Sequence, residues 1–398
     1  MRFSTLSLAA LPLAASASSF YEVLDDNNFV EREGVLRFPM KVAHGASKHS
    51  KSKRQQAADI TSRQTGYFYT IELKMGTPGQ AVHVNFDTGS SDLWVNPNCA
   101  KANNETYCKS FGQFGGSSSF VDQKQSNTLA YGTGTAEIEY GYDYVTVGSA
   151  KINQQVFGVA TDSDFYTTGI LGAGPSLDGW DSKYPLVIDN LLQQKFIESR
   201  AFSLDLRSIG SDRGAVVYGG IDTKKFSGHL EKRPIIPAAS SPDGKTRYWI
   251  YLDGITINNE DGSVSPVFNQ VNGQPVLLDS GYTVSALPTK HFQKILKAFP
   301  SAYKDENGQW NVDCKVAEST KGSVNFKFGK TVIKVPFKDF IWQQPSYGTC
   351  ALGVMEDNEF PVLGDTFLRA AYAVFDWDNK NIHLANNEDC GSNLVKIT

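Results

Sequence analysis

Hydrophobic and polar positions trace the same short device twice along the chain. Val82 and Val84 alternate with His83, a period-two pattern that predicts a strand ending at Phe86. Val276, Leu277 and Leu278 form a second apolar run, which predicts another strand. Each runs into an acidic turn: Asp87-Thr88-Gly89-Ser90 after the first, Asp279-Ser280-Gly281-Tyr282 after the second. Beyond each aspartate by 83 to 85 residues stands an apolar triplet ending in glycine, Ile170-Leu171-Gly172 and Val362-Leu363-Gly364. With 192 residues between the copies, these matched offsets predict two halves of one design. Each half sets a strand-end Asp-x-Gly beside a short apolar strand. His83, between two valines, reads as a strand-face residue rather than a metal ligand.

Composition narrows the class. Charged residues make up 20% of the 398 and apolar residues 40%, with 24 Phe and 17 Tyr, which excludes intrinsic disorder. The 35 glycines beside many Ser, Thr, Tyr, Phe and Val favour β-structure with many turns. The net charge of −4, with no long basic block, argues against a nucleic-acid partner.

The N-terminal residues change what that charge means. Arg2, the apolar run Leu6 to Leu13 and the small residues Ala15-Ser16-Ala17 predict a secretory signal over residues 1–17. That run is too short to span a bilayer. Residues 18–54 read as a pro-segment, extending to about residue 63 on a longer reading, with the dibasic pair Lys53-Arg54 as an accessible processing site. Eight basic and five acidic residues lie at or before Arg54, leaving 30 and 37, so the remainder is near −7. The polar C-terminus, Asn386 to Thr398, carries neither a tail anchor nor a GPI signal. These features predict secretion to the outside of the cell, with the vacuole the less favoured destination. Five cysteines in an oxidising compartment suit two bridges, Cys99–Cys108 and Cys314–Cys350, with Cys390 left over, although the sequence alone does not fix the pairing. Asn104-Glu105-Thr106 is the one glycosylation sequon.

Common catalytic signatures are missing: there is no Gly-x-Ser-x-Gly, His-Glu-x-x-His, Cys-x-x-Cys or phosphate-binding loop. What remains is a pair of carboxylates. One acidic turn is an ordinary structural Asx-turn. Two, at matched places in a duplicated chain, are able to meet across a pseudo-twofold axis. Carboxylates roughly 3 Å apart share one proton, so one form acts as base on a water and the other as acid toward a carbonyl oxygen. That is direct hydrolysis of an amide, and the two titrate as a unit.

The motifs Gly76-Thr77-Pro78, Asp87-Thr88-Gly89-Ser90-Ser91-Asp92-Leu93-Trp94, Tyr131-Gly132-Thr133-Gly134, Gly169-Ile170-Leu171-Gly172, Asp279-Ser280-Gly281 and Val362-Leu363-Gly364-Asp365 occur in one order. With them the chain from about Gly66 resembles the pepsin-like aspartic proteases (peptidase family A1), and its leader and second turn are similar to secreted fungal candidapepsins and yapsins. The resemblance implies a mostly β, bilobal fold with two pseudo-twofold-related β lobes, a deep cleft and one β-hairpin flap. The lobes would cover residues 64–200 and 201–398. It implies a catalytic dyad at Asp87 and Asp279, cross-braced by Thr88 and Ser280, with Gly89, Ser90 and Gly281 in support. It puts Tyr131, Gly132 and Thr133 on the flap, gives Trp94 the task of holding Tyr131, and makes Ile170 a subsite wall. No metal or organic cofactor is implied. The implied partners are polypeptide substrates and pepstatin-type inhibitors, with no nucleic acid and no membrane anchor, and the implied state is a monomer. Apolar cleft motifs suggest hydrophobic side chains beside the cut.

One position departs. The family usually has Thr or Ser where Tyr282 stands, and that hydroxyl supports the second aspartate. Tyr282 does not fit the same task, so Thr283 or a water is expected to substitute. Latency is expected to come from basic pro-segment residues pairing with the dyad at neutral pH. Two alternatives differ in class: a catalytically inactive pepsin-like inhibitor or binding protein, against which both aspartates and Tyr131 are intact, and a two-carboxylate glycoside hydrolase, against which the paired turns and flap argue.

Overall fold

The alternation of Val82, His83 and Val84 lies in a strand, Gln80–Asp87, as the sequence predicts. The computed structural model describes residues 30–44, 67–100, 105–132, 134–163, 168–175, 184–208, 211, 213–306, 308–344 and 348–397. The longest helix among them is Thr289–Lys297. The protein is mostly β, as composition predicts.

The largest sheet among the described residues has fourteen strands. At its centre lie, in spatial order, Ala371–Asp376, Ala201–Asp205, Arg213–Tyr218, Val35–His44, Tyr67–Met75 and Gln80–Asp87. Segments from the start, middle and end of the chain are thus neighbours. A seven-stranded sheet belongs to the second half and contains Trp249–Asn258, Val264–Leu278, Ser285–Leu287 and Val362–Leu363.

The core sits under the aspartate-bearing strands. Phe86 is fully buried and meets Phe202 edge-on at 5.6 Å between ring centres, and Phe202 stacks on Phe375 at 4.7 Å. Val82, Val84 and Phe86 point into this core. His83 faces the other way, 3.5 Å from the Glu72 carboxylate, as its alternation predicts.

The strand Val35–His44 lies within the stretch read as a pro-segment, yet it is an interior strand here. It forms six residue pairs with Arg213–Tyr218 and four with Tyr67–Met75. Leu36, Phe38 and Met40 are buried, alternating with Arg37, Pro39 and Lys41. The charges of Arg37 and Lys41 act on Asp205 and His83, respectively. Residues 1–17 and Lys53-Arg54 lie outside the described residues.

Both expected cysteine pairs are bridged, with Cα separations of 5.8 Å for Cys99–Cys108 and 5.2 Å for Cys314–Cys350. Cys390 is a free, exposed thiol.

Candidate active site

The duplicated device is built from the same three strands in each half. In the first, Gln80–Asp87 pairs in parallel with Ile170–Gly172, placing Asp87 opposite Gly172. Ile170–Gly172 also pairs antiparallel with Leu93–Val95. In the second, Val264–Leu278 pairs in parallel with Val362–Leu363, which pairs antiparallel with Ser285–Leu287. The aspartate thus leaves its strand where a partner strand fixes the backbone on one side: the Asp87 carbonyl accepts from Ala173 at 2.7 Å, and the Asp279 N–H donates to the Leu363 carbonyl at 3.1 Å.

The two turns are locked together by a symmetrical set of hydrogen bonds. The Thr88 N–H donates to the Ser280 hydroxyl at 3.1 Å, and the Ser280 N–H donates to the Thr88 hydroxyl at 3.0 Å. Each hydroxyl then donates across to the strand before the opposite aspartate, Thr88 to the Leu278 carbonyl at 2.9 Å and Ser280 to the Phe86 carbonyl at 2.7 Å. Both side chains are fully buried, so every donor and acceptor they carry needs a partner, and the opposite half supplies it.

This lock brings the carboxylates together. Gly89 donates to Asp87 Oδ1 and Gly281 to Asp279 Oδ1, both at 2.8 Å. A Cβ on Gly89 would overlap the Asp279 carboxylate, and one on Gly281 would overlap that of Asp87. Each carboxylate therefore sits over the other turn's glycine. Asp87 is 5% exposed and Asp279 9%, so both keep a little access to solvent. Ser90 donates its hydroxyl to Asp87 Oδ2 at 2.5 Å.

The second turn differs at the position the sequence singles out. The Tyr282 hydroxyl is turned to the Met355 sulfur at 3.5 Å, and its ring packs against Val284, Trp342 and Ala351. Its backbone instead serves the turn: the Tyr282 N–H donates to the Asp279 carbonyl at 3.3 Å, and its carbonyl accepts from Asp365 at 2.8 Å. The Thr283 carbonyl accepts from Thr366 at 3.3 Å.

A hairpin, Val121–Tyr131 and Gly134–Val147, rises beside the first turn, closing at the Tyr131–Gly134 pair with Gly132 exposed at its tip. The indole N–H of the fully buried Trp94 donates to the Tyr131 hydroxyl at 2.8 Å. Trp94 and Ile170 belong to an apolar cluster on which Tyr131 packs. Thr133 and Asn104 lie outside the described residues.

Several site features escaped the sequence reading. Asp92 accepts hydrogen bonds from the Tyr140 hydroxyl at 3.0 Å and from the Tyr184 hydroxyl. Burial, with the Asp92 charge adding to it, pushes the Tyr140 phenol up to about 12. Behind the second turn, burial holds the Asp365 carboxyl well above the usual range; Arg369 opposes that, and the charges of Asp279 and Asp87 reinforce it. A cavity of about 660 Å³ lies between the hairpin and the first turn, bordered by Ser90, Asp92, Gln125, Tyr131, Tyr184 and Arg247. Leu129, Ala130 and Tyr140 line it as well, so its wall is about as apolar as it is polar.

Comparisons with known proteins identify the family and the fold. The chain is 31% identical to aspartic proteinase yapsin-3 of Saccharomyces cerevisiae over 96% of its own length and 77% of that protein's. It is 32% identical to candidapepsin-1 of Candida albicans, covering 92% of each. Its fold matches the crystal structure of aspartic proteinase from Irpex lacteus with a TM-score of 0.65 at 22% identity, over 89% of this chain and 98% of that one, which establishes the two-lobed architecture. The eukaryotic aspartyl protease family profile matches residues 68–387, a span that includes both aspartate turns, the hairpin and the strands that pair them, so the chain belongs to that family and is an aspartic-type endopeptidase.

Proposed function

We propose that the protein is a secreted endopeptidase that cuts extended polypeptides at acidic pH, using Asp87 and Asp279 as one proton-sharing pair. The observation that carries this reading is the mutual seating of the two carboxylates, each over the glycine of the opposite turn. Two like charges held that close favour a single shared proton. In the half-protonated pair, the ionised carboxylate takes a proton from a water as the water adds to the scissile carbonyl carbon. The protonated one gives its proton to the carbonyl oxygen, forming a tetrahedral diol. Collapse of the diol breaks the C–N bond, with a proton passing to the leaving nitrogen. No covalent enzyme intermediate forms.

The supporting residues divide the remaining work. Thr88 and Ser280 keep the two turns in register, and Ser90 supports the outer oxygen of Asp87. Tyr131, held by Trp94, closes the hairpin over the bound chain as a flap and excludes water. Ile170, Tyr282 and Thr283 border the cleft. A signal over residues 1–17, a pro-segment over 18–54 and lobes dividing near Arg200 complete the reading, and the two bridged cysteine pairs fit an oxidising compartment.

The test is haemoglobin digestion across pH 3–6 with and without pepstatin, wild type against Asp87→Asn. Digestion by wild type that pepstatin stops and Asp87→Asn lacks is expected. Digestion unaffected by either would refute the assignment of the dyad.

A further inference from the structure

The first catalytic turn is held from across the cleft by a residue of the second half. Arg247 Nη1 donates to the Gly89 carbonyl at 2.8 Å, 158 positions away in sequence. Its Nε donates to Asp243 Oδ2 at 2.6 Å, while Asp243 Oδ1 accepts from the Trp249 indole at 3.0 Å. The guanidinium lies 5.5 Å from the centre of the Phe360 ring, and the side chain is 17% exposed. The arginine is therefore fixed on its own side before it reaches across.

What it grips matters. The Gly89 carbonyl belongs to the peptide unit that leads into Ser90. On either side of that unit are the two donors to Asp87: the Gly89 N–H to Oδ1 and the Ser90 hydroxyl to Oδ2. Tilting the peptide would turn both donors off the carboxylate. A planar fork can hold the Asp243 carboxylate and the carbonyl at once, whereas a lysine ammonium presents a single point of charge. The Arg247–Asp243 pair also brings two opposite charges to the first turn at the Gly89 carbonyl, so removing either one changes the net charge there.

We propose that Arg247 is a positioning residue for peptide cleavage, clamping the Gly89–Ser90 peptide from the opposite half and thereby setting the alignment of Asp87 against its two donors. The proposal rests on the assignment of Asp87 and Asp279 as the catalytic pair. It predicts opposite electrostatic signatures at the two ends of the clamp. Arg247→Gln leaves the Asp243 charge and should move the acidic limb of the kcat/KM profile to higher pH, by about half a unit or more. Asp243→Asn leaves the Arg247 charge and should move that limb to lower pH. Arg247→Gln should lower kcat about tenfold with KM changed less than about twofold, the pattern of an interaction acting on the chemical step. Arg247→Lys should restore the position of the limb but only part of kcat.

The experiment measures kcat, KM and their pH profiles from pH 2.5 to 7 on a chromogenic peptide, with melting temperatures alongside and Asp87→Asn as control. Limbs displaced in opposite directions, with kcat lowered in Arg247→Gln, are the expected result. Lowered melting temperatures with unchanged limbs and unchanged kcat would overturn the proposal and leave a structural tie only. Displacement of both limbs in the same direction would overturn it as well. If Arg247→Gln does not fold, the Asp243→Asn and Arg247→Lys profiles decide on the same criteria. An active Asp87→Asn control would instead bring down the dyad assignment itself.

Discussion

Replacing Asp205 by Asn should flatten the pH dependence of stability between pH 4 and pH 7. Asp205 ends the strand Ala201–Asp205 in the central sheet and is 3% exposed. Burial pushes its carboxyl from 3.8 up to about 7, against the pull of Arg207, Lys225 and Arg37, with the Asp389 charge adding a small push upward. Arg207 Nε lies 2.8 Å from Oδ2, while Oδ1 is buried without a hydrogen-bond partner among the described residues. The folded protein therefore holds this proton more tightly than the unfolded chain does. Where the native value stands above the unfolded one, folding takes up a proton between the two, so stability is full below about pH 4 and is lost as pH rises. A displacement of about three units at about 1.4 kcal/mol each sets a ceiling near 4 kcal/mol, of which about 3 kcal/mol falls between pH 4 and 7. Asn keeps the shape and removes the titration. Denaturant unfolding at pH 4, 5, 6 and 7, with pepstatin present and in an Asp87→Asn background chosen to suppress self-digestion, measures the difference between parent and Asp205→Asn. Asp365 is displaced in the same direction, so the parent and the variant share a residual slope, and their difference isolates Asp205. Stabilities that fall in parallel over this range would refute the reasoning.

Tyr282→Thr should retain activity and shift the pH profile, because a short hydroxyl would replace a phenol that is directed to Met355; an unchanged profile together with unchanged subsite preference would sink this idea. Cys314→Ser with Cys350→Ser opens a loop of 36 residues and should cost about 4 kcal/mol on the chain-entropy account, against about 3 kcal/mol for the nine-residue Cys99–Cys108 loop. Reversal of that order in urea unfolding would show that strain or residual structure outweighs loop length.

The duplicated device was legible because it repeats in plain order: an apolar strand, an Asp-x-Gly turn and an apolar partner 83 to 85 residues on. Both partner strands lie where that spacing put them, in parallel register beside each aspartate strand. The tie between Trp94 and Tyr131 was implied by the family resemblance, and the indole N–H does donate to the phenol. Arg247 was not legible. It stands in a polar stretch, and its target lies 158 residues away, so neither period nor spacing points to it. Asp205 reads as one more polar position in an alternating strand, and only the fold reveals that all five residues of Ala201–Asp205 are buried, on both faces of the sheet. The same limit applies to Val35–His44. Leu36, Phe38 and Met40 alternate with Arg37, Pro39 and Lys41, but the strand's two neighbours come from distant parts of the chain, so no local pattern marks it as interior.

The order of strands in the central sheet also bears on how the protein is made. Ala201–Asp205 has Arg213–Tyr218 on one side and Ala371–Asp376 on the other. On a ribosome that adds roughly 5–20 residues per second, the second neighbour emerges many seconds after the first. Until then the newly made half carries an open strand edge, able to pair with another nascent chain. A chain that stops short of residue 371 would keep that edge permanently. Premature termination should therefore yield an aggregating product rather than a soluble half-enzyme, even though the first aspartate, its turn and its hairpin would all have been synthesised.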